Sequence, residues 1–183
     1  MSNKKPSQLS FDLGSAQTHQ SKGIHGGEHS RKGKRKLARP LSAKRPLHVV
    51  MRSAKAQGKL SLLKQAKAID AILTSMAHRF HVKIYERANA GNHLHLLIRG
   101  KTKSGIQNFL RSVTALIARL MTCATRGNPQ GKFWDALVFT RLLTWGRELR
   151  SVLSYVQENT LEALGIAEYR PRHVSLKAFM GFG

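Results

Sequence analysis

The chain has 183 residues, of which 41% are hydrophobic, enough for one domain with a proper core and hardly enough for two. Thirty-two Lys and Arg stand against 9 Asp and Glu, a formal net charge of +23. A chain so basic is drawn to polyanions by counterion release, which makes nucleic acid the expected partner. No apolar run is long enough to span a bilayer, and no long basic helix carries the broad apolar face that a membrane surface needs. The N-terminus lacks the apolar stretch of a signal peptide, and the single Cys123 has no internal disulfide partner. A cytoplasmic, nucleoid-associated location without a membrane is therefore expected.

Residues 1–45 are rich in Ser, Gly, Gln, His and basic residues, with few apolar groups in any periodic pattern. Such a segment buries too little apolar surface to offset its ordering entropy, and a basic, largely disordered N-terminal tail is expected. Its basic residues Arg31, Lys32, Lys34, Arg35, Lys36, Arg39, Lys44 and Arg45 are candidate DNA contacts. A solubilising tail accounts for them equally well. His25 and His29 are read as solvated.

A domain is expected over 46–165. Leu47-His48-Val49-Val50-Met51 reads as a strand. Leu62, Leu63, Ala66, Ile69, Leu73 and Met76 follow at helical spacing. His81-Val82-Lys83-Ile84-Tyr85 alternates as a half-buried strand. Asn89-Ala90-Gly91-Asn92 is turn chemistry, and His93 to Ile98 forms the second arm of a hairpin. Ile106, Phe109, Leu110, Val113, Leu116, Ile117 and Leu120 mark a long amphipathic helix, broken at Gly127-Asn128-Pro129. Phe133 to Thr144 reads as a strand, and Arg147 to Leu164 as a last helix stopped by Gly165. Residues 166–183 form a C-terminal tail. The order β-α-β-β-α-β-α matches an α+β, ferredoxin-like plan, an antiparallel sheet with helices packed on one face and the other face left for ligands.

His93 and His95 are two apart on a strand, so both imidazoles point to one face while Leu94 points into the core. Neutral imidazole is a good ligand for divalent metals. The His-x-His pattern alone more often marks two partly exposed sheet histidines. A structural zinc site is not expected, because one cysteine offers no thiolate set.

In the last helix, Leu149, Val152, Leu153 and Val156 form the stripe that faces the core. Tyr155 and Asn159 lie one turn apart along its edge. A tyrosine there can be a boundary residue with a packed ring and a wet hydroxyl. It can also be a nucleophile, with the amide oxygen completing a metal site. Tyr85 is read as a strand residue, and Tyr169 has no partner at helical spacing. Core packing is expected for Trp134 and Trp145, with base stacking as the other reading of each.

Asn92-His93-Leu94-His95-Leu96-Leu97-Ile98, followed by Tyr155-Val156-Gln157-Glu158-Asn159 on a helix, resembles the single-tyrosine HUH transposases. The similarity is greatest to their REP-associated branch, in which the tyrosine helix carries Tyr-x-x-x-Asn. It extends over about residues 24 to 172 and includes Phe133-Trp134 and the basic stretch leading into Leu47-His48-Val49. The resemblance implies a metal-dependent single-stranded DNA endonuclease and strand transferase acting at hairpin-associated sites through a 5′-phosphotyrosine intermediate. It implies His93 and His95 as ligands to Mg2+ or Mn2+, Tyr155 as nucleophile, and Asn159 as a third ligand or an orienting group. Related insertion-sequence transposases exchange tyrosine helices in dimers, whereas the REP-associated branch is more often monomeric, so a monomer is favoured over a dimer. Two positions depart from the family pattern: Gly91 and Thr160 stand where prolines are usual. A non-catalytic, basic RNA-binding module on the same sheet is the alternative, and it leaves the two histidines, Tyr155 and Asn159 without a shared purpose.

Overall fold

The computed structural model describes residues 25–26, 40–163 and 165–168. Its strands are β1 (His25–Gly26), β2 (Leu47–Arg52), β3 (Val82–Asn89), β4 (His93–Gly100) and β5 (Phe139–Leu142). Its helices are α1 (Ala66–Arg79), α2 (Lys103–Thr122) and α3 (Arg147–Ala163). The sheet order is β1-β5-β2-β4-β3, and every neighbouring pair is antiparallel. Without β1, this is the order that a β-α-β-β-α-β chain makes when its two halves interleave, and the expected α+β, ferredoxin-like sheet is found.

Alternation along the central strands creates two unlike faces. Leu47, Val49 and Met51 of β2 and Leu94, Leu96 and Ile98 of β4 are buried in the main core, against Ile69 and Leu73 of α1. From α2 the stripe Ile106, Phe109, Leu110, Val113 and Ile117 enters the same core. Thr102 caps α2, its hydroxyl accepting from the Gly105 N–H at 3.0 Å. The face expected to be left for ligands is partly covered: there α3 lays Val152 and Val156 against Ala88, Leu97 and Leu143, a second and smaller core, because its own apolar stripe needs a surface to bury against. This helix covers β3 and part of β4, leaving the β2 and β5 side of that face beside it.

Three further expectations change in the structure. The helix does not begin at Leu62: short 3-10 turns at Gly58–Leu60 and Leu62–Gln65 precede α1. Leu62 is buried, its N–H donates to Gly91 O at 2.8 Å, and its carbonyl accepts from Asn89 Nδ2 at 3.0 Å. Bonds to the β3–β4 hairpin thus replace the first helical turn.

The strand expected from Phe133 to Thr144 pairs only over Phe139–Leu142. Upstream, Ser53 Oγ donates to Phe133 O at 2.5 Å, Asp135 N–H donates to Arg52 O at 3.0 Å, and Trp134 Nε1–H donates to Thr114 O at 2.9 Å. Side chains and single backbone bonds hold this segment, so its apolar residues pack without a ladder.

Within the expected N-terminal tail, β1 pairs His25 with Arg141 and Gly26 with Thr140. A two-residue pairing needs almost no apolar burial, which is why composition does not announce it.

Candidate active site

His93 and His95 project from β4 on the face that carries α3, and their ring centroids lie 4.7 Å apart. Leu94 between them is buried in the main core, as alternation requires. Gly91 turns the chain into β4 at φ +84°, where a proline, fixed near −65°, does not fit. That conformation accounts for the first departure from the family pattern.

The His93 ring is oriented by its neighbour. Nδ1 lies 2.6 Å from Asn92 Oδ1, and an amide oxygen can only accept, so Nδ1 is the donor of this bond, which in the neutral ring leaves the lone pair on Nε2. His95 is buried, 4% exposed, and its Nδ1 lies 3.1 Å from His48 Nε2. The His48 and His95 rings stack at 5.4 Å, 9° from parallel. Burial, with the Arg141 guanidinium nearby, pushes the His48 pKa down to about 4, so His48 is neutral at physiological pH.

Tyr155 reaches this group from α3. Its ring stands edge-on to His95 at 5.5 Å and to His48 at 6.2 Å. Asn159, 3% exposed, donates from Nδ2 to the Tyr155 carbonyl at 2.6 Å, which directs the amide oxygen away from that bond. At the next position Thr160 Oγ1 donates to Val156 O at 3.2 Å inside a continuing helix. A proline at 160 would remove a backbone donor there.

The helix is fixed to the sheet near its start. Glu148 accepts from the Thr144 N–H and hydroxyl, both at 2.7 Å, and pairs with Arg141 Nη2 of β5 at 2.8 Å. Partial burial raises the Glu148 pKa, but the Thr144 bonds and Arg141 outweigh it and hold the carboxyl below its usual value.

Of the sequence-predicted residues, His93, His95 and Tyr155 thus form one chain of ring contacts, and Asn159 is bonded to the Tyr155 backbone one turn along. Lys44 is exposed, whereas Arg45 is half-buried and donates from Nε to Leu143 O at 3.1 Å. Arg31, Lys32, Lys34, Arg35, Lys36 and Arg39 lie outside the described residues. Trp134 packs on the main core as expected, but Trp145 is 49% exposed. His48 is the residue that sequence reasoning missed. Its only signal was a polar side chain inside an apolar strand, in alternation with Val50 and Arg52.

Among the described residues, no group of three His, Cys, Asp or Glu is arranged to hold a metal ion. The two imidazoles on one face of β4 offer nitrogen donors of the kind that suits a divalent cation. The tautomer fixed on His93 fits that use. No helix among the described residues is long and apolar enough to cross a membrane.

Comparison with known proteins gives one family. A family model described as "Transposase IS200 like" matches residues 44–159, a span from the last residues before β2 to Asn159. A crystal structure of a transposase candidate from Deinococcus radiodurans R1 is 19% identical, with a TM-score of 0.40, covering 70% of this chain and 97% of that one. No curated protein matches the sequence.

Proposed function

From the premise that the chain belongs to the IS200-like transposase family, we propose that it is a metal-dependent single-stranded DNA endonuclease and strand transferase with Tyr155 as nucleophile. The observation that carries this reading is the Tyr155 ring, delivered by α3 to within 5.5 Å of the His95 ring. His93 and His95 would hold the Mg2+ or Mn2+ ion, with Asn159 supplying an amide oxygen. When bound, such an ion neutralises charge growing on a non-bridging phosphate oxygen.

The protein's own groups then do the following. Tyr155 Oη attacks phosphorus, the new O–P bond forms, and the P–O3′ bond breaks. The phenolic proton passes to solvent water as the phenol attacks, and the departing 3′-oxygen takes a proton from solvent to become a 3′-hydroxyl. The phosphodiester energy is retained in a 5′-phosphotyrosine, so a second 3′-hydroxyl can attack it and restore the phenol without ATP. His48 holds His95 in position. Glu148 and Arg141 hold the helix from which Tyr155 projects. The Tyr155-x-x-x-Asn159 pattern supports placement in the REP-associated branch and hairpin-associated DNA as substrate.

The test is covalent capture. A labelled stem-loop oligonucleotide with Mn2+ should give an adduct that survives denaturation and maps to Tyr155. An adduct that persists in Tyr155→Phe would overturn the reading.

A further inference from the structure

The face of β4 that carries His93 and His95 continues through Leu97 to Arg99, about 13 Å farther along the strand. There β3 and β4 place Lys83 directly opposite Arg99. Like charges in that relation destabilise a sheet, and neither cation is in an ion pair among the described residues. Each lies over an aromatic ring instead: Lys83 Nζ is 5.2 Å from the Tyr85 centroid, and the Arg99 guanidinium is 5.5 Å from that of Trp145. The two rings meet edge-on at 6.2 Å.

Trp145 is 49% exposed but not loose. Its Nε1–H donates to Lys44 O at 3.2 Å, and Arg99 Nε–H donates to Ala43 O at 3.2 Å. The indole is therefore held in place while half of it faces water. A large exposed aromatic fixed by polar bonds and flanked by two uncompensated cations has the composition of a nucleic-acid stacking site. Burial of apolar surface does not account for this placement, because neither Trp145 nor Arg99 belongs to either core.

We infer that Trp145, with Tyr85, Arg99 and Lys83, forms a subsite that stacks an unpaired base of single-stranded DNA and holds its backbone, a few nucleotides from the bond facing Tyr155. This rests on the proposed DNA substrate and adds the place where flanking nucleotides are gripped. The rings provide a stacking surface that accepts any base, and the cations provide the phosphate contacts.

The test compares, within each variant and in EDTA to prevent cleavage, binding of an oligo-dT strand with an abasic strand of equal length and charge. Wild-type protein should prefer oligo-dT by at least about fivefold. Trp145→Leu should bring that ratio to near one, and Trp145→Phe should restore part of it. Partial loss of folded protein lowers both affinities and cancels from the ratio. The Lys83→Gln/Arg99→Gln pair should leave some base preference but reduce the salt slope by about 0.7 per cation lost. A ratio unchanged in Trp145→Leu overturns the subsite, and a stronger preference for oligo-U than for oligo-dT overturns DNA as its occupant. If no Tyr155 adduct forms but the ratio depends on Trp145, the subsite stands and the catalytic reading fails. If adducts form but the ratio ignores Trp145, the reverse holds.

Discussion

His48 Nε2 and His95 Nδ1 face each other across 3.1 Å inside the sheet face, at the distance of a hydrogen bond. If His95 Nε2 is to carry a lone pair toward a cation, the ring proton must sit on Nδ1 and His48 Nε2 must accept it. A neutral His48 is able to accept, and its burial keeps it neutral. His48→Phe retains a flat ring but has no acceptor. Mn2+ titrated calorimetrically should bind this variant about 10- to 100-fold more weakly than wild type. Equal affinity would show that His95 is oriented by other means.

The same residue makes the metal-free fold sensitive to acid. With a folded pKa near 4 and an ordinary value of 6.5, His48 binds its proton less readily in the folded state than in the unfolded chain. Stability therefore falls as pH drops through that window, by up to roughly 3 kcal/mol from this one group. Urea unfolding at pH 7 and pH 4.5 should show the loss, and His48→Phe should shrink it. A pH dependence identical in both proteins would assign it elsewhere.

Glu148 has the opposite chemistry but the same sign. Its carboxyl pKa is held below the usual 4.5, so its contribution is complete above that value and disappears as the pH falls through the folded pKa. Glu148→Gln should cost about 1 kcal/mol at neutral pH, since the Arg141 pair is partly exposed to solvent. Hydrogen exchange should quicken first in α3, at residues before Tyr155. Uniform change across the sheet would contradict a local latch.

Gly91→Pro would restore the residue usual in the family, yet it should harm this chain. The turn needs φ +84° and uses the Gly91 N–H as a donor to Asn89 Oδ1 at 3.0 Å. Proline supplies neither, and a loss of more than about 1 kcal/mol is expected in chemical denaturation. A neutral effect would mean that the hairpin can adopt a second turn.

Legibility in the sequence followed the range of the interactions. The α2 stripe and the alternation of β4 are local, and Ile106, Phe109, Leu110, Val113 and Ile117, like Leu94, Leu96 and Ile98, are in the main core as their spacing predicts. The site was legible as far as two residue patterns, and the structure adds that the His95 and Tyr155 rings meet. His48 was not legible, because its role depends on the β2–β4 register, which pairs it with Leu97, 49 residues away. Trp145 escaped for a related reason. A tryptophan reads as core until the carbonyl of Lys44 and the guanidinium of Arg99 are seen to hold it at the surface.

Tyr155 meets the imidazoles of its own polypeptide, with α3 folded back on its own sheet. A genetic consequence follows for cells that carry two defective copies. If the phenol acts in cis, a copy lacking His95 and a copy lacking Tyr155 cannot repair each other, and their mixture should be as inactive as either alone. Recovery of activity would mean that the helices change hosts, and that Glu148 lets go for them to do so.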